Sequence, residues 1–350
     1  MDFEDYPDEA RIRAEFIVDE RFRLNDRKRP LVEALYQASL RFTAERLVND
    51  PDFWGRYGRE RQTALDFRPT GEPVHLSLKN LRLPVLPQAG IELQQVMDNP
   101  NFTADDLAAV ISKDPKLTTT MLRMVNSALY NLRQTVTTVS RSVALLGSQQ
   151  VWNLALGTLM LNLFKQPANM RFDIQGYWRH CVACGILAKA LATRARMPDP
   201  ERFFVAGMLH DIGQLALLTA SPEVMEVVQT TMFTADTTTP EVERRILTFD
   251  HMQLGARMST MWSLPEFIHE AISMHHRPGD TELGSAARAV HLAENMAKVL
   301  TFGTGEGFVL DPLHEESWRS MGIGIQDLDA MLAEATEKIL GMTELLASMH

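Results

Sequence analysis

The tetrapeptide Leu209-His210-Asp211-Ile212 places an imidazole beside a carboxylate, a mixed nitrogen and oxygen pair suited to divalent first-row metals. Further donors lie at wide intervals: His180 upstream, then His251, the pair His275-His276 and the carboxylate Glu294 downstream. Donors this far apart meet only if the chain folds back on itself several times, and helical bundles commonly build such sites from facing helices. The chemistry open to the set is metal binding, with metal-assisted hydrolysis as its reactive form. A metal-free reading stands beside it, in which the imidazoles and Asp211 hydrogen-bond one another and pin helices together.

The elements that would position these residues read as helices, and the chain reads as all-α. Trp178 to Ala195 is rich in Ala and Leu, and Phe203 to Leu218 reads as one helix carrying the His-Asp doublet. A helix opens at His251, Glu266 to His275 gives another, and Glu282 to Leu300 carries His291 and Glu294 one turn apart. In the first half, Thr103 with Asp106 is an N-cap signature, Asp114-Pro115 opens a helix, and Gly147 closes one. Residues 1–75 mix charges densely around one amphipathic helix built on Leu31, Leu35, Leu40 and Leu47. Phe67 to Pro73 reads as a linker followed by a short extended segment, Val74 to Leu78. The tail from Gln326 to Met349 is again amphipathic.

Composition narrows the function classes. Of 350 residues, 45% are hydrophobic and 23% charged, as in ordinary globular proteins, and the net charge is -10. That charge argues against a sequence-independent grip on nucleic acid. The N-terminus is acidic with no apolar core, and the run Val151 to Phe164 falls short of the roughly 20 apolar residues of a membrane span. A soluble, cytoplasmic protein without membrane contact is expected. The two cysteines form Cys181-Val182-Ala183-Cys184, but Gly185 stands where haem attachment needs histidine and no βαβ pattern surrounds them. They read as small apolar residues of a packed helix. Asn126 and Ser127 have no paired base nearby and read as structural. Trp262 reads as a packing anchor, and His75, His269, His314 and His350 as surface groups.

Several dispersed motifs, in order, resemble the HDOD domain, the HD-related output domain of bacterial signalling proteins. The first half holds Asp114-Pro115, Leu122-Arg123-Met124-Val125-Asn126-Ser127-Ala128-Leu129-Tyr130 and Ala144-Leu145-Leu146-Gly147. The second holds His180, Ala206-Gly207-Met208-Leu209-His210-Asp211-Ile212-Gly213, Glu243, Asp250-His251, Trp262-Ser263-Leu264-Pro265 and His275-His276-Arg277-Pro278. The resemblance runs from about Leu83 to Pro278 and implies a multi-helix HD-like domain, taken as 76–285, with 286–350 as C-terminal helices packed on its HD-like half; the Pro/Gly linker near residues 69–73 sets off 1–75 as an N-terminal helical extension accessory to the core. Within the domain, 76–167 would be the first helical half and 168–285 the HD-like half.

It further implies His180, His210 and Asp211 as ligands of a first metal and His251, His275 and His276 at the positions used by two-metal relatives. Glu294 stands where catalytic relatives place aspartate. The cofactor would be one or two divalent ions of iron, manganese or zinc. Members of the family are generally regulatory, which implies a signalling partner protein or a small signalling ligand and leaves room for a homo-oligomer. Two departures speak against hydrolysis of cyclic di-GMP, as performed by HD-GYP relatives. Gln214 replaces the usual lysine, and Pro278-Gly279-Asp280 replaces the Gly-Tyr-Pro signature. The competing class is a metal-dependent phosphohydrolase acting on a nucleotide or phosphoester.

Overall fold

The computed structural model describes residues 1–67, 76, 78, 81–127, 129–130, 132–163, 173–280, 284–303 and 308–347. Among them every regular element is a helix and none is a strand. The charged N-terminal segment forms α1 (Asp8–Phe22), α2 (Pro30–Asn49) and α3 (Phe53–Asp66). Only α2 is legible in the sequence. The buried face of α1 is built on Ala10, Ala14, Ile17, Val18, Arg21 and Phe22, an apolar stripe that two alanines and an arginine make hard to see in the sequence. The first half follows as α4 (Gln88–Asp98), α5 (Ala104–Ser112), α6 (Pro115–Val125), α7 (Val139–Leu146) and α8 (Ser148–Leu163). The expected caps are in place: Thr103 and Asp106 bond reciprocally, Asp114 accepts from the Lys116 and Leu117 amides, and Gly147 ends α7 at a φ of 90°.

The second half comprises α9 (Ile174–Arg194), α10 (Pro200–Leu209), α11 (Ile212–Ala220), α12 (Pro222–Thr234), α13 (Thr239–Leu247), α14 (His251–Met261) and α15 (Glu266–Met274). Then come α16 (Ser285–Val299), α17 (Glu315–Met321) and α18 (Leu328–Ala347). Helix α9 is the axis. It is buried along most of its length, and α10, α16 and α18 pack against it. A helix that is apolar nearly all round is stable only inside such a shell. Among the described residues the stretch most like a membrane span by length and composition is Pro200–Ala220, and 89% of its most apolar window is buried inside the fold.

One expectation about these elements is overturned. Phe203 to Leu218 is not a continuous helix, because the chain breaks at His210-Asp211 between α10 and α11. Neighbouring side chains on an unbroken helix diverge by about 100°. Here Asp211 leaves helical geometry at φ -96° and ψ 15°, which lets both members of the doublet face one centre. Gly213 makes the break fit, since a Cβ there would run into the His251 carbonyl oxygen.

The two halves are tied by polar contacts. Trp262 donates from Nε1 to the Pro84 carbonyl at 3.0 Å, and Tyr130 donates to Glu201 at 3.1 Å. Asn126 spans its loop, donating to Leu122 O and Val136 O and accepting from the Val136 amide, while Ser127 donates back to Met124 O. Both residues are structural here. The linker and most of the extended segment expected between Phe67 and Leu78, and the join near residue 167, lie outside the described residues.

The N-terminal helices share the core rather than standing apart as an accessory. Val18, Phe22, Leu31 and Leu35 belong to the same apolar cluster as α9 and α16, and α2 packs on α16. Asn25, just after α1, donates to Leu310 O and Asp311 O at 3.2 and 3.1 Å and accepts from the Leu313 amide at 2.9 Å. The Leu310 amide donates to Arg21 O at 2.9 Å. These bonds hold an irregular segment whose backbone has no helix to satisfy it. Asn25→Ala should therefore lower stability by about 2 kcal/mol, since it orphans several partly buried backbone groups at once. A shift in the urea midpoint equivalent to less than about 0.5 kcal/mol would contradict this.

Candidate metal centre

Four elements bring the predicted ligands together around Asp211. Helix α9 supplies His180, the α10–α11 break supplies His210 and Asp211, the start of α14 supplies His251, and the end of α15 supplies His275. The Nε2 atoms of His210, His251 and His275 lie 3.3, 3.3 and 3.5 Å from the Asp211 carboxylate, and that of His180 lies 4.0 Å away. All five residues are at most 2% exposed.

The other face of each ring is already committed. His180 donates from Nδ1 to Phe302 O at 2.7 Å, His210 to Gly207 O at 2.7 Å, and His275 to Ala271 O at 2.9 Å. His251 donates from Nδ1 to Glu243 at 2.6 Å, and the same carboxylate oxygen accepts the His251 amide at 2.8 Å. Carbonyl and carboxylate oxygens only accept, so each Nδ1 carries the proton, and in the neutral ring Nε2 presents a lone pair. Metal-bound histidines are oriented in this way by carbonyls and carboxylates behind them.

Lone pairs converging on a carboxylate repel, so the centre needs positive charge. Without an ion, protons supply it. Burial opposes charge on His251, but Glu243, Asp211 and Asp250 outweigh it and raise the ring to about 10. Burial and the neighbouring His276 push His275 down to about 3. Their Nε2 atoms are 3.2 Å apart, so His251 can donate to His275. Burial likewise works against an ionised Asp211, and the facing imidazoles, led by His210, hold its carboxyl well below the usual range. Even so, His210 Nε2 and Asp211 Oδ1 are buried without a well-aligned hydrogen bond. Orphaned donor atoms facing one another, each fixed from behind, fit a divalent ion.

His276 and Glu294 lie next to this group and face a different partner. His276 Nδ1 is 3.1 Å from Asp311 and 3.9 Å from Glu294, and Lys298 Nζ contacts Glu294 at 2.7 Å and Asp311 at 3.2 Å. One donor atom each from His276, Glu294 and Asp311 falls within 4.8 Å of the others, as do those of Asp211, His251, His275 and His276. A further trio, His210, His275 and Glu294, connects the two groups.

Sequence reasoning missed Asp311 and Lys298. Lys298 is one helical turn beyond Glu294, a visible ion-pair spacing, whereas Asp311 follows the end of α16 with no motif around it. A buried cation does lie beside the centre, at Lys298 rather than at position 214. His291 supports the site: it donates from Nδ1 to His275 O at 3.0 Å and accepts the His314 amide at Nε2 at 3.2 Å. Cys184 lies 3.5 Å from His180 Nε2, and burial pushes its thiol well up, so it acts as an S–H neighbour rather than a thiolate. His269 and His314, expected at the surface, are half-buried and hydrogen-bonded to Ser259 and Ser317. His75 and His350 lie outside the described residues.

Residues 83–278 match the family model for the HDOD domain, more than half of the chain. The chain belongs to the HDOD family. An HDOD domain protein of unknown function from Geobacter sulfurreducens has a similar fold, with a TM-score of 0.64 at 20% identity over 84% of this chain and 99% of that one. A Marinobacter aquaeolei VT8 structure provisionally named a signal transduction protein gives 0.62 at 22% identity, covering 85% of this chain and 66% of that one. One from Shewanella amazonensis SB2B, provisionally named a phosphohydrolase, gives 0.58 at 22% identity, covering 75% and 95%. By sequence, an uncharacterised protein of Treponema pallidum (strain Nichols) is 28% identical over 198 residues, 55% of this chain but only 37% of that relative. The HDOD match ends at residue 278, so Glu294, Lys298, Phe302 and Asp311 reach the centre from outside it.

Two measurements follow for this HDOD centre. Glu243→Gln keeps the side chain's size but removes the charge behind His251, and should weaken metal binding by about 10- to 100-fold. An unchanged affinity by competitive chelator titration would refute the orienting role. Metal must also displace the proton that Glu243 and Asp211 hold on His251, whose value is about 10. The ring stays protonated in the metal-free form until pH rises past that value, so affinity should climb by about tenfold per pH unit between 6 and 9 for one displaced proton. A flat profile by calorimetry would show that no proton is exchanged.

Proposed function

We propose that this HDOD protein is a cytoplasmic signal-transduction component that works by binding a partner protein or a small signalling ligand, with a divalent ion of iron, manganese or zinc as the pin of its helical core. The observation that carries this reading is the burial of the ligand set. His180, His210, Asp211, His251 and His275 are at most 2% exposed, and each imidazole is fixed from behind by the protein. A substrate phosphoryl group has to reach the ion, and a ligand cage closed by protein on this scale favours a structural role.

A second reading, a metal-dependent phosphohydrolase acting on a nucleotide or phosphoester, is favoured by one specific observation. The site keeps a full imidazole and carboxylate set and adds the Lys298 ammonium beside Glu294. A bound ion would there supply a metal-activated hydroxide and charge neutralisation at a phosphoryl oxygen. The similar structures carry provisional names from both classes, so their names do not separate the readings.

Activity does separate them. Full-length protein loaded with manganese or iron is assayed on cyclic dinucleotides, nucleotides and an aryl phosphate, beside Asp211→Ala. The regulatory reading expects wild-type rates within about twofold of that variant, because loss of a working metal hydroxide would otherwise cost several orders of magnitude. Turnover that disappears in Asp211→Ala would make the protein a working phosphohydrolase.

A further inference from the structure

The residues around Lys298 have the composition of a metal site, yet a lysine side chain already bridges its two carboxylates. His276, Glu294 and Asp311 each offer a donor atom, all within 4.8 Å of one another. The side chains of His276, Glu294 and Asp311 are only 6, 4 and 7% exposed. His276 Nδ1 and Glu294 Oε2 lack a well-aligned hydrogen-bond partner, as donor atoms awaiting a cation would. Between the two carboxylates lies the Lys298 ammonium, 2.7 Å from Glu294 and 3.2 Å from Asp311 and itself buried.

We propose that the Lys298 ammonium takes the place of a second metal ion in the His276–Glu294–Asp311 pocket, so that this chain binds one divalent ion and not two. The inference rests on the metal reading given above for the Asp211 group and adds to it a stoichiometry and the residue that sets it.

Charge and geometry both support it. Glu294 and Asp311 are both buried, and the Lys298 ammonium between them already neutralises part of their charge, so the pocket draws a further cation less strongly. A second ion beside the ammonium would place like charges in contact within a buried site, where water screens them poorly. The ammonium also has a fixed tether. Lys298 lies one turn beyond Glu294 on α16, so it reaches the pocket along its own helix at every folding event. Asp311 is brought to it by the segment that Asn25 and Arg21 hold by their backbone and side-chain bonds. The pocket is therefore built from both ends of the chain around a cation that the chain carries itself.

The test is metal content of the full chain, by elemental analysis and by manganese titration with dialysis. Wild type should hold about one ion per chain even at saturating manganese, while Lys298→Met and Lys298→Gln should hold about two, since removing the competing charge leaves a complete donor set. Lys298→Arg, which keeps the charge, should stay at one. Adding His276→Ala to Lys298→Gln should return the count to one and so locate the gained ion.

A second ion in wild type at saturation would overturn the proposal, and that measurement needs no variant to fold. So would folded Lys298→Gln protein, shown by its helical signal and cooperative melting, that gains nothing. Wild type with no ion at all would sink the metal reading of the Asp211 group. The lysine proposal would then survive only if Lys298→Gln gains an ion that His276→Ala removes, and would fall if it does not.

Discussion

An ionised carboxylate at the centre of a protein must be compensated, and in this chain Asp211 imposes that constraint on everything around it. Isolated charges are too costly to bury, so such a group is kept only where neighbours neutralise it. Four imidazoles turn Nε2 toward it, and each reaches that pose because an oxygen holds Nδ1 on the far side. Orientation is thus decided mainly by backbone, since three of those four oxygens are main-chain carbonyls. Carbonyls fixed in helices or at their ends move little, which makes the constellation rigid without long side-chain networks.

The backbone positions come from widely separated parts of the chain. Phe302 O, which orients His180 on α9, lies just after α16. His275 O is held by His291 from α16, and His291 is held by the His314 amide before α17. Asn25 and Arg21 fix the segment carrying Asp311. The centre therefore extends past residue 278, where the HDOD match ends, and draws on both termini of the chain. Both regions are thus joined to the centre by continuous chains of hydrogen bonds.

Close packing enforces the same geometry. Gly213 admits the His251 carbonyl, and Gly207 packs against the backbone at Cys184 and Gly185. The two glycines flank the His210-Asp211 break and let α10 and α11 approach α9 and α14 at backbone distance. Larger residues would push the helices apart, and the imidazoles would no longer converge on one carboxylate. The glycines on either side of the doublet are thus as much part of the centre as its ligands, although they contribute no donor atom.

The sequence by itself determined the all-α class, most helix limits in the two halves and the residues that gather around Asp211. Those features are local: 3.6-residue periodicity, caps such as Thr103 and Asp114, and donor types that mark themselves by chemistry. It was silent on α1 and α3, whose buried residues are few or mixed: α1 sets Ala10, Ala14 and Arg21 beside Ile17, Val18 and Phe22, and α3 buries only Phe53, Tyr57 and Ala64 among charged neighbours. It read a straight helix through His210-Asp211, because single glycines such as Gly207 and Gly213 are tolerated within a helix and only the fold shows that each fits against foreign backbone. Only the tertiary structure decided that Lys298 and Asp311 share the pocket of His276 and Glu294, and that Asn25 secures it. Those contacts join residues up to 288 positions apart, as between Asn25 and Leu313, and no local pattern encodes a pairing at that separation.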